Sequence, residues 1–250
     1  MERIKCVISY DGSEFSGYQV QPNGRTVQEE IERALQKMTK GSPIRVTASG
    51  RTDAGVHAKG QVIHFDTELQ IPEDKWKKAM NTLLPQDIRI LEVRKVSSSF
   101  HARFDVQQKT YKYFIDLNKD MDIFNRKYTY HFPFELDVES IEQACELLVG
   151  EHDFTAFCAA NSGVKGEKVR TIYYASGTKL ENQLVFTFTG SGFLYNMVRI
   201  LVGTLLEIGT GKRNATDILG IIESKDRKKA GKTAPAHGLY LWEVMYEEKR

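Results

Sequence analysis

The chain has 250 residues, 41% hydrophobic and 27% charged, with a formal net charge of +2. That length holds one large domain or two small ones sharing a core, and the composition is that of a soluble globular protein rather than a disordered or fibrous one. The three cysteines, Cys6, Cys145 and Cys158, form no CxxC pair, which speaks against a disulfide framework or a thiolate metal site and for reduced thiols in the cytoplasm.

Glu2–Tyr10 alternates in the manner of a strand, and Asp11-Gly12-Ser13 follows it with a turn. The opening Met1-Glu2-Arg3-Ile4-Lys5 lacks the apolar stretch of a secretory signal. Thr26-Val-Gln-Glu29 is a capping box, after which Val27, Ile31, Leu35 and Met38 fall on one helical face. Residues 44–48 and 61–65 read as short strands, 73–84 as a charged amphipathic helix stopped near Pro85, and Ile88–Val96 as another alternating strand. The order is β-α-β-β-α-β.

The second half repeats it. Residues 110–117 read as a strand, and Asp137 caps a helix running to about 149 with Ile141, Ala144, Cys145 and Leu148 inward. A hairpin follows, Val169–Leu180 and 184–189 around Glu181-Asn182, then a long apolar helix over 193–208, a short one over 216–223, and a last strand, Leu239–Tyr246. A further short strand lies near 128–132. The 193–208 segment is shorter than the roughly 20 residues of a bilayer span and carries Arg199 and Glu207, so it reads as a buried helix and a membrane role is not expected. Two split-βαβ, ferredoxin-like units predict an α+β fold with a joined or adjacent, mainly antiparallel sheet and helices on one face. The boundary falls near 102–108, giving halves 1–103 and 104–250. Such a fold carries many activities, so function must come from the site.

The most informative stretch is Gly50-Arg51-Thr52-Asp53-Ala54-Gly55-Val56-His57-Ala58, between two short strands. It gathers a cation, a carboxylate, an imidazole and two glycines on a loop, where function tends to sit. Its structural reading is an Asx turn at Asp53 with Gly55 at positive φ. His57 and His64 raise a metal site, but no third ligand stands at a recurring spacing, so none is expected. Arg199 lies among apolar neighbours. A guanidinium there either snorkels outward or meets an anion, and the apolar surroundings favour an inward, paired arginine with Asp53 as its partner, which would keep that carboxylate ionised. Tyr111 and Tyr113 share one strand face, as core residues or, beside Lys109 and Lys112, as a surface that stacks on an unpaired base. Basic residues recur in groups: Lys75, Lys77 and Lys78; Arg94 and Lys95; His101, Arg103 and Lys109; Lys165, Lys168 and Arg170; and Lys225, Arg227, Lys228, Lys229 and Lys232. Gathered on one side they would suit a phosphate backbone.

These residues, in this order, resemble the TruA family of pseudouridine synthases. The likeness runs through Tyr10-Asp11-Gly12-Ser-x-Phe15-x-Gly17-Tyr18-Gln19-x-Gln21, Thr26-Val27-Gln28, the Gly50–His57 signature, Phe100-His101-Ala102-Arg103-Phe104, Tyr111-x-Tyr113, Asp153-Phe154-Thr155-x-Phe157, Gly192-Phe193-Leu194-x-x-Met197-Val198-Arg199 and Ala234-Pro235-Ala236-x-Gly238-Leu239. It covers essentially the whole chain. The resemblance implies an isomerase that converts uridines 38, 39 and 40 of the tRNA anticodon arm to pseudouridine without cofactor or metal, as a cytoplasmic homodimer. It makes Asp53 the nucleophile, Arg51 a residue of the substrate loop, Tyr111 the aromatic against the target base, and Arg199 the arginine paired with the aspartate. Tyr18 stands where Trp is commoner in the family, and Lys109 and Lys112 where arginines are frequent.

Overall fold

The computed structural model describes residues 1–159 and 166–247, so Lys165 of the basic groups lies outside the described residues. Two compact units emerge, the first comprising residues 1–107 with 240–250 and the second residues 108–239.

The first unit is built from β1 (Glu2–Tyr10), α1 (Val27–Met38), β2 (Thr47–Ala48), β3 (His57–Thr67), α2 (Glu73–Leu83) and β4 (Ile88–Val96), in the expected βαββαβ order. Every second residue of β1 is buried, so Ile4, Cys6, Ile8 and Tyr10 form one core face. β1 runs antiparallel between β4 and β3, with Cys6 opposite Val93 on one side and Ile63 on the other. α1 starts where the capping box predicts, with Thr26 Oγ1 accepting from Glu29 N. Its buried stripe is Val27, Ile31, Ala34 and Leu35. α2 buries Trp76, whose indole meets Phe65 edge-on at 5.5 Å. Burying a side chain of that size stabilises the unit by roughly 2–3 kcal/mol.

Two strands of the first unit differ from their expected lengths. Residues 44–46 do not join a ladder because the Glu32 carboxylate of α1 takes the Val46 N–H and pairs with Arg45. β3, in contrast, begins at His57 rather than 61, despite the interrupting Gly60. A β-carbon there would stand 2.6 Å from the carbonyl oxygen of Trp242, so the glycine admits the neighbouring chain rather than ending the strand. That chain is β10 (Leu239–Tyr246), which lies parallel to β3 with Tyr240 opposite His57.

The second unit contains β5 (Val106–Asp116, from residue 108 onward), β6 (Tyr130–His131), α3 (Val138–Leu147), β7 (Gly150–Asp153), β8 (Val169–Leu180), β9 (Gln183–Gly190), α4 (Met197–Gly209) and α5 (Asp217–Ser224). β5, β9, β8 and β7 follow one another as antiparallel neighbours, and β6 pairs with β5 in parallel. Asp137 caps α3 by accepting from Ser140 N, and Ile141, Ala144, Cys145 and Leu148 are all buried as their spacing requires. α4 is buried on nearly every side but starts four residues later than its apolar run. Asn196 adopts φ +60°, a left-handed conformation that asparagine tolerates, and this separates Phe193 and Leu194 from the helix. Arg199 therefore sits in the first helical turn. All three cysteines are buried free thiols, and none of the helices among the described residues is long and apolar enough to cross a membrane.

Within the first unit, His64 ties β3 to the segment after β4. Its Nδ1 accepts from Ala102 N at 3.1 Å, so the ring serves as an acceptor and must stay neutral there. Burial, with the nearby positive charge of Arg3, lowers its pKa from the ordinary 6.5 to about 4. The unfolded chain takes up this proton near pH 6.5 and the folded one only near pH 4. The stability contributed by the neutral ring is therefore full above pH 6.5 and is lost as pH falls through this window, by up to about 3 kcal/mol. In urea titrations at several pH values, His64→Asn should lower stability at pH 7.5 but flatten the fall between pH 6.5 and 4. Parallel pH curves for the two proteins would show that His64 does not carry this dependence.

Candidate active site

Asp53 lies on the loop between β2 and β3, half-buried, with Arg51 and Ala54 exposed beside it and Thr52 buried. The Asp53 carbonyl accepts from Val56 N at 3.1 Å, and Gly55 takes φ +77° to close this turn. Glycine suits that position because a side chain there would be strained.

What holds the loop is the turn after β1. The Tyr10 hydroxyl and Thr52 Oγ1 are 2.8 Å apart and buried. Tyr18 N donates to Thr52 O at 3.1 Å, and Gly55 N donates to Phe15 O at 3.3 Å. Backbones approach so closely that a β-carbon on Gly12 would overlap the Val56 carbonyl, and one on Gly17 would lie 3.0 Å from Thr52 O. The turn is fixed in its own right. Arg25 bonds both oxygens of Asp87 at 2.5 and 3.0 Å, reaches Glu30 at 2.8 Å, and sets its guanidinium 4.3 Å from the centre of the Phe15 ring. Asp53 is thus carried by a loop whose neighbours on both sides are pinned through buried groups.

His57 ends the loop. Its Nδ1 accepts from Gly12 N at 3.0 Å, and the ring stacks on Tyr240 at 4.6 Å. Asp11 Oδ1 also comes within 3.2 Å of Nδ1 but already accepts from Ser13 N. His57 Nδ1 thus meets both the Gly12 N–H and the Asp11 carboxylate, and the ring serves as a strut between the loop and the turn after β1. His64 is spent on Ala102, as described. Among the described residues no group of three or more His, Cys, Asp or Glu side chains is arranged to hold a metal ion.

In the second unit Tyr111 and Tyr113 share a face of β5, as alternation requires, and both are buried. They differ in environment. Tyr113 is fully buried and donates its hydroxyl to Pro235 O at 2.8 Å, and burial pushes its pKa far above the ordinary tyrosine range. It is a core residue. Tyr111 meets Phe193 edge-on at 5.1 Å, beside the turn that precedes α4. Arg199 is half-buried, with Nε donating to Ala234 O at 2.7 Å and Nη1 to Asn196 Oδ1 at 2.8 Å, while its own carbonyl accepts from Ala234 N at 3.0 Å. Its side chain is bonded within the fold rather than extended into solvent. The Ala234-Pro235 segment thereby receives Arg199 from α4 and Tyr113 from β5.

Loop composition, strand alternation and apolar surroundings singled out Asp53, Tyr111 and Arg199, and the resemblance added Arg51, but none of these assigned a part to Tyr10, Gly12, Gly17 or Ala234. Gly12 and Gly17, each within the opening turn motif, were the available signal: glycines at fixed offsets mark close backbone approach. The partner they approach could not be read from the sequence. Chemically, the first unit presents a carboxylate on a loop with a pinned backbone, two residues after an exposed arginine, and the second an aromatic edge and a half-buried arginine.

A family model described as tRNA pseudouridine synthase matches residues 6–105 and 144–247. The chain is 55% identical over 248 residues to tRNA pseudouridine synthase A of Oceanobacillus iheyensis, covering 99% of this chain and 98% of that protein. It is 56% identical to the proteins of the same name from a Geobacillus species and from Brevibacillus brevis, each over 246 residues and 98% of this chain, covering 99% and 100% of those proteins.

Two buried tyrosines next to the loop separate a partnered hydroxyl from an idle one. Burial lifts the Tyr10 pKa to about 12 even though Thr52 and Gln61 bond it, whereas the Tyr18 hydroxyl is buried with no hydrogen-bond partner among the described residues. Tyr10→Phe, which strands Thr52 Oγ1, should cost about 1–2 kcal/mol in urea unfolding, while Tyr18→Phe should be neutral or slightly stabilising. Equal losses from both would contradict this account of the scaffold.

Proposed function

The chain belongs to the tRNA pseudouridine synthase family, and from that membership we propose that it isomerises uridine to pseudouridine in the anticodon stem-loop of tRNA, at positions 38, 39 and 40, with Asp53 as the reacting carboxylate. The N1–C1′ bond of the target breaks, the base turns, C5 bonds to C1′, the C5 proton leaves and N1 gains one. Substrate and product are isomers, so the reaction balances without a co-reactant. The target must first leave its stack, at a cost of a few kcal/mol that stacking and backbone contacts offset.

In this reading Arg51 holds the extruded nucleotide, Tyr111 packs against its base, and Arg199 pairs with Asp53 and keeps the carboxylate ionised, as a nucleophile requires. The enzyme works in the cytoplasm as a homodimer whose two copies both touch the tRNA. The observation that carries the choice of Asp53 is its loop. Thr52 on one side and Val56 on the other are locked by Tyr10, Tyr18 and Gly12 through buried contacts, which is the preorganisation that positioning a reacting group demands.

An anticodon-arm transcript carrying tritium at uridine C5 tests this directly. The native enzyme should release tritium to water, and Asp53→Asn should bind the RNA yet release almost none. Near-normal turnover by the variant would remove Asp53 from the chemistry, and no release by the native enzyme would remove the anticodon arm as substrate. The role of Arg199 is read from the pH dependence. In Arg199→Met, loss of the cation raises the carboxylate pKa, so the acid limb of the rate profile should move to higher pH. An unmoved limb in a folded variant would confine Arg199 to its bonds with Ala234 and Asn196.

A further inference from the structure

Phe104 is 74% exposed, in a turn whose backbone is held by several hydrogen bonds. We infer that Phe104, flanked by Arg103, is a platform on which an unpaired base of the tRNA stacks, at a place remote from the reacting nucleotide. This rests on the reading of the chain as acting on tRNA.

The turn is built rather than loose. His101 N donates to Asp105 Oδ2 at 2.8 Å, and Asp105 N returns a bond to His101 O at 3.1 Å. His101 Nδ1 accepts from Arg103 N and Phe104 N at 3.1 and 3.3 Å. Ala102, fully buried, donates to His64 and accepts from the Tyr246 hydroxyl at 2.6 Å. Arg3 donates to the carbonyls of Ser98 and Phe100 at 2.6 and 2.8 Å. This framework holds the Phe104 ring against the imidazole of His101, stacked at 4.3 Å and 26°, with the Arg103 guanidinium 5.7 Å from its centre. One face of the ring is supported and most of its area is open, so the ordering entropy that stacking normally costs is already spent.

The surroundings choose the occupant. Within residues 97–105 Phe104 is the one large apolar side chain that is exposed. Arg103 beside it is exposed as well. A single supported aromatic next to a guanidinium matches the way proteins take a base by its π-face and the adjoining phosphate by charge. Position excludes the target itself. The turn is anchored at His64, seven residues along β3 from His57 at the end of the Asp53 loop, and a strand rises about 3.3 Å per residue. The anchor of the platform therefore lies roughly 23 Å along the strand from the end of the Asp53 loop, and the platform should affect binding but not the chemical step.

The test compares Phe104→Ala, Phe104→Leu and Phe104→Trp for tRNA affinity by fluorescence anisotropy and for tritium release at saturating tRNA, with sedimentation velocity on each. Because the ring is exposed, all three should melt within a degree or two of the native protein. Ala and Leu should each weaken binding about tenfold, Trp should hold it within about twofold, and the rate at saturation should not change. Native affinity in the Ala variant overturns the proposal. So does full rescue by Leu, which would mean plain apolar packing, or a change of oligomeric state, which would mean that a second copy covers the ring. Failure of the functional reading is recognised separately, since the native enzyme itself would then release no tritium.

Discussion

The contact between the turn after β1 and the loop before β3 is the constraint on which the first unit's chemistry depends. Two glycines remove the side chains that would keep these backbones apart, and a buried tyrosine–threonine hydrogen bond fixes what remains. Either element alone would be a surface loop, free to sample several turns. Pressed together they leave Asp53 half-buried on a frame that cannot shift without stranding buried polar groups, each worth about 1–3 kcal/mol. Family membership says which reaction is involved; this packing explains how the backbone of a loop that carries a carboxylate can be held in place.

The second unit solves a different problem. Arg199 occupies the first turn of α4, where the helix dipole already places positive charge, an arrangement that disfavours a cation by roughly 0.3–1 kcal/mol. The Ala234 carbonyl and the Asn196 amide oxygen offset this, and the return bond from Ala234 N locks the segment that carries them. A cation held at the positive end of a helix is suited to meeting an anion, which agrees with the proposed pairing to a carboxylate in an RNA-modifying enzyme.

Much of this was legible in the sequence, and the exceptions have physical causes. Glu2–Tyr10, Ile88–Val96 and Leu239–Tyr246 were exact because each is a β-rich run of alternating character bounded by turn residues, and this held even though the buried face of the last two skips a residue after Ile90 and Leu241. The capping residues Thr26 and Asp137 marked helix starts because their side chains act locally. β3 read short because Gly60 looks like a breaker until Trp242 lies against it, and α4 read long because hydropathy does not register the left-handed backbone at Asn196. The Asp53 loop stood out by composition, and its resemblance to a known signature gave it a chemistry. The scaffold under it did not stand out, since Gly12 and Val56 are neighbours only once β1 and β3 have paired.

The central claim, that fixing the Asp53 loop from the opposing turn is what makes the carboxylate effective, is tested most directly by single-turnover tritium release from Gly12→Ala. The added methyl would push the Val56 carbonyl and the loop away without touching any group that meets RNA. The account predicts a folded protein that keeps tRNA affinity within about threefold while the rate falls at least about tenfold, as a displacement of an ångström or less can cost. A folded Gly12→Ala enzyme turning over at the native rate would contradict it.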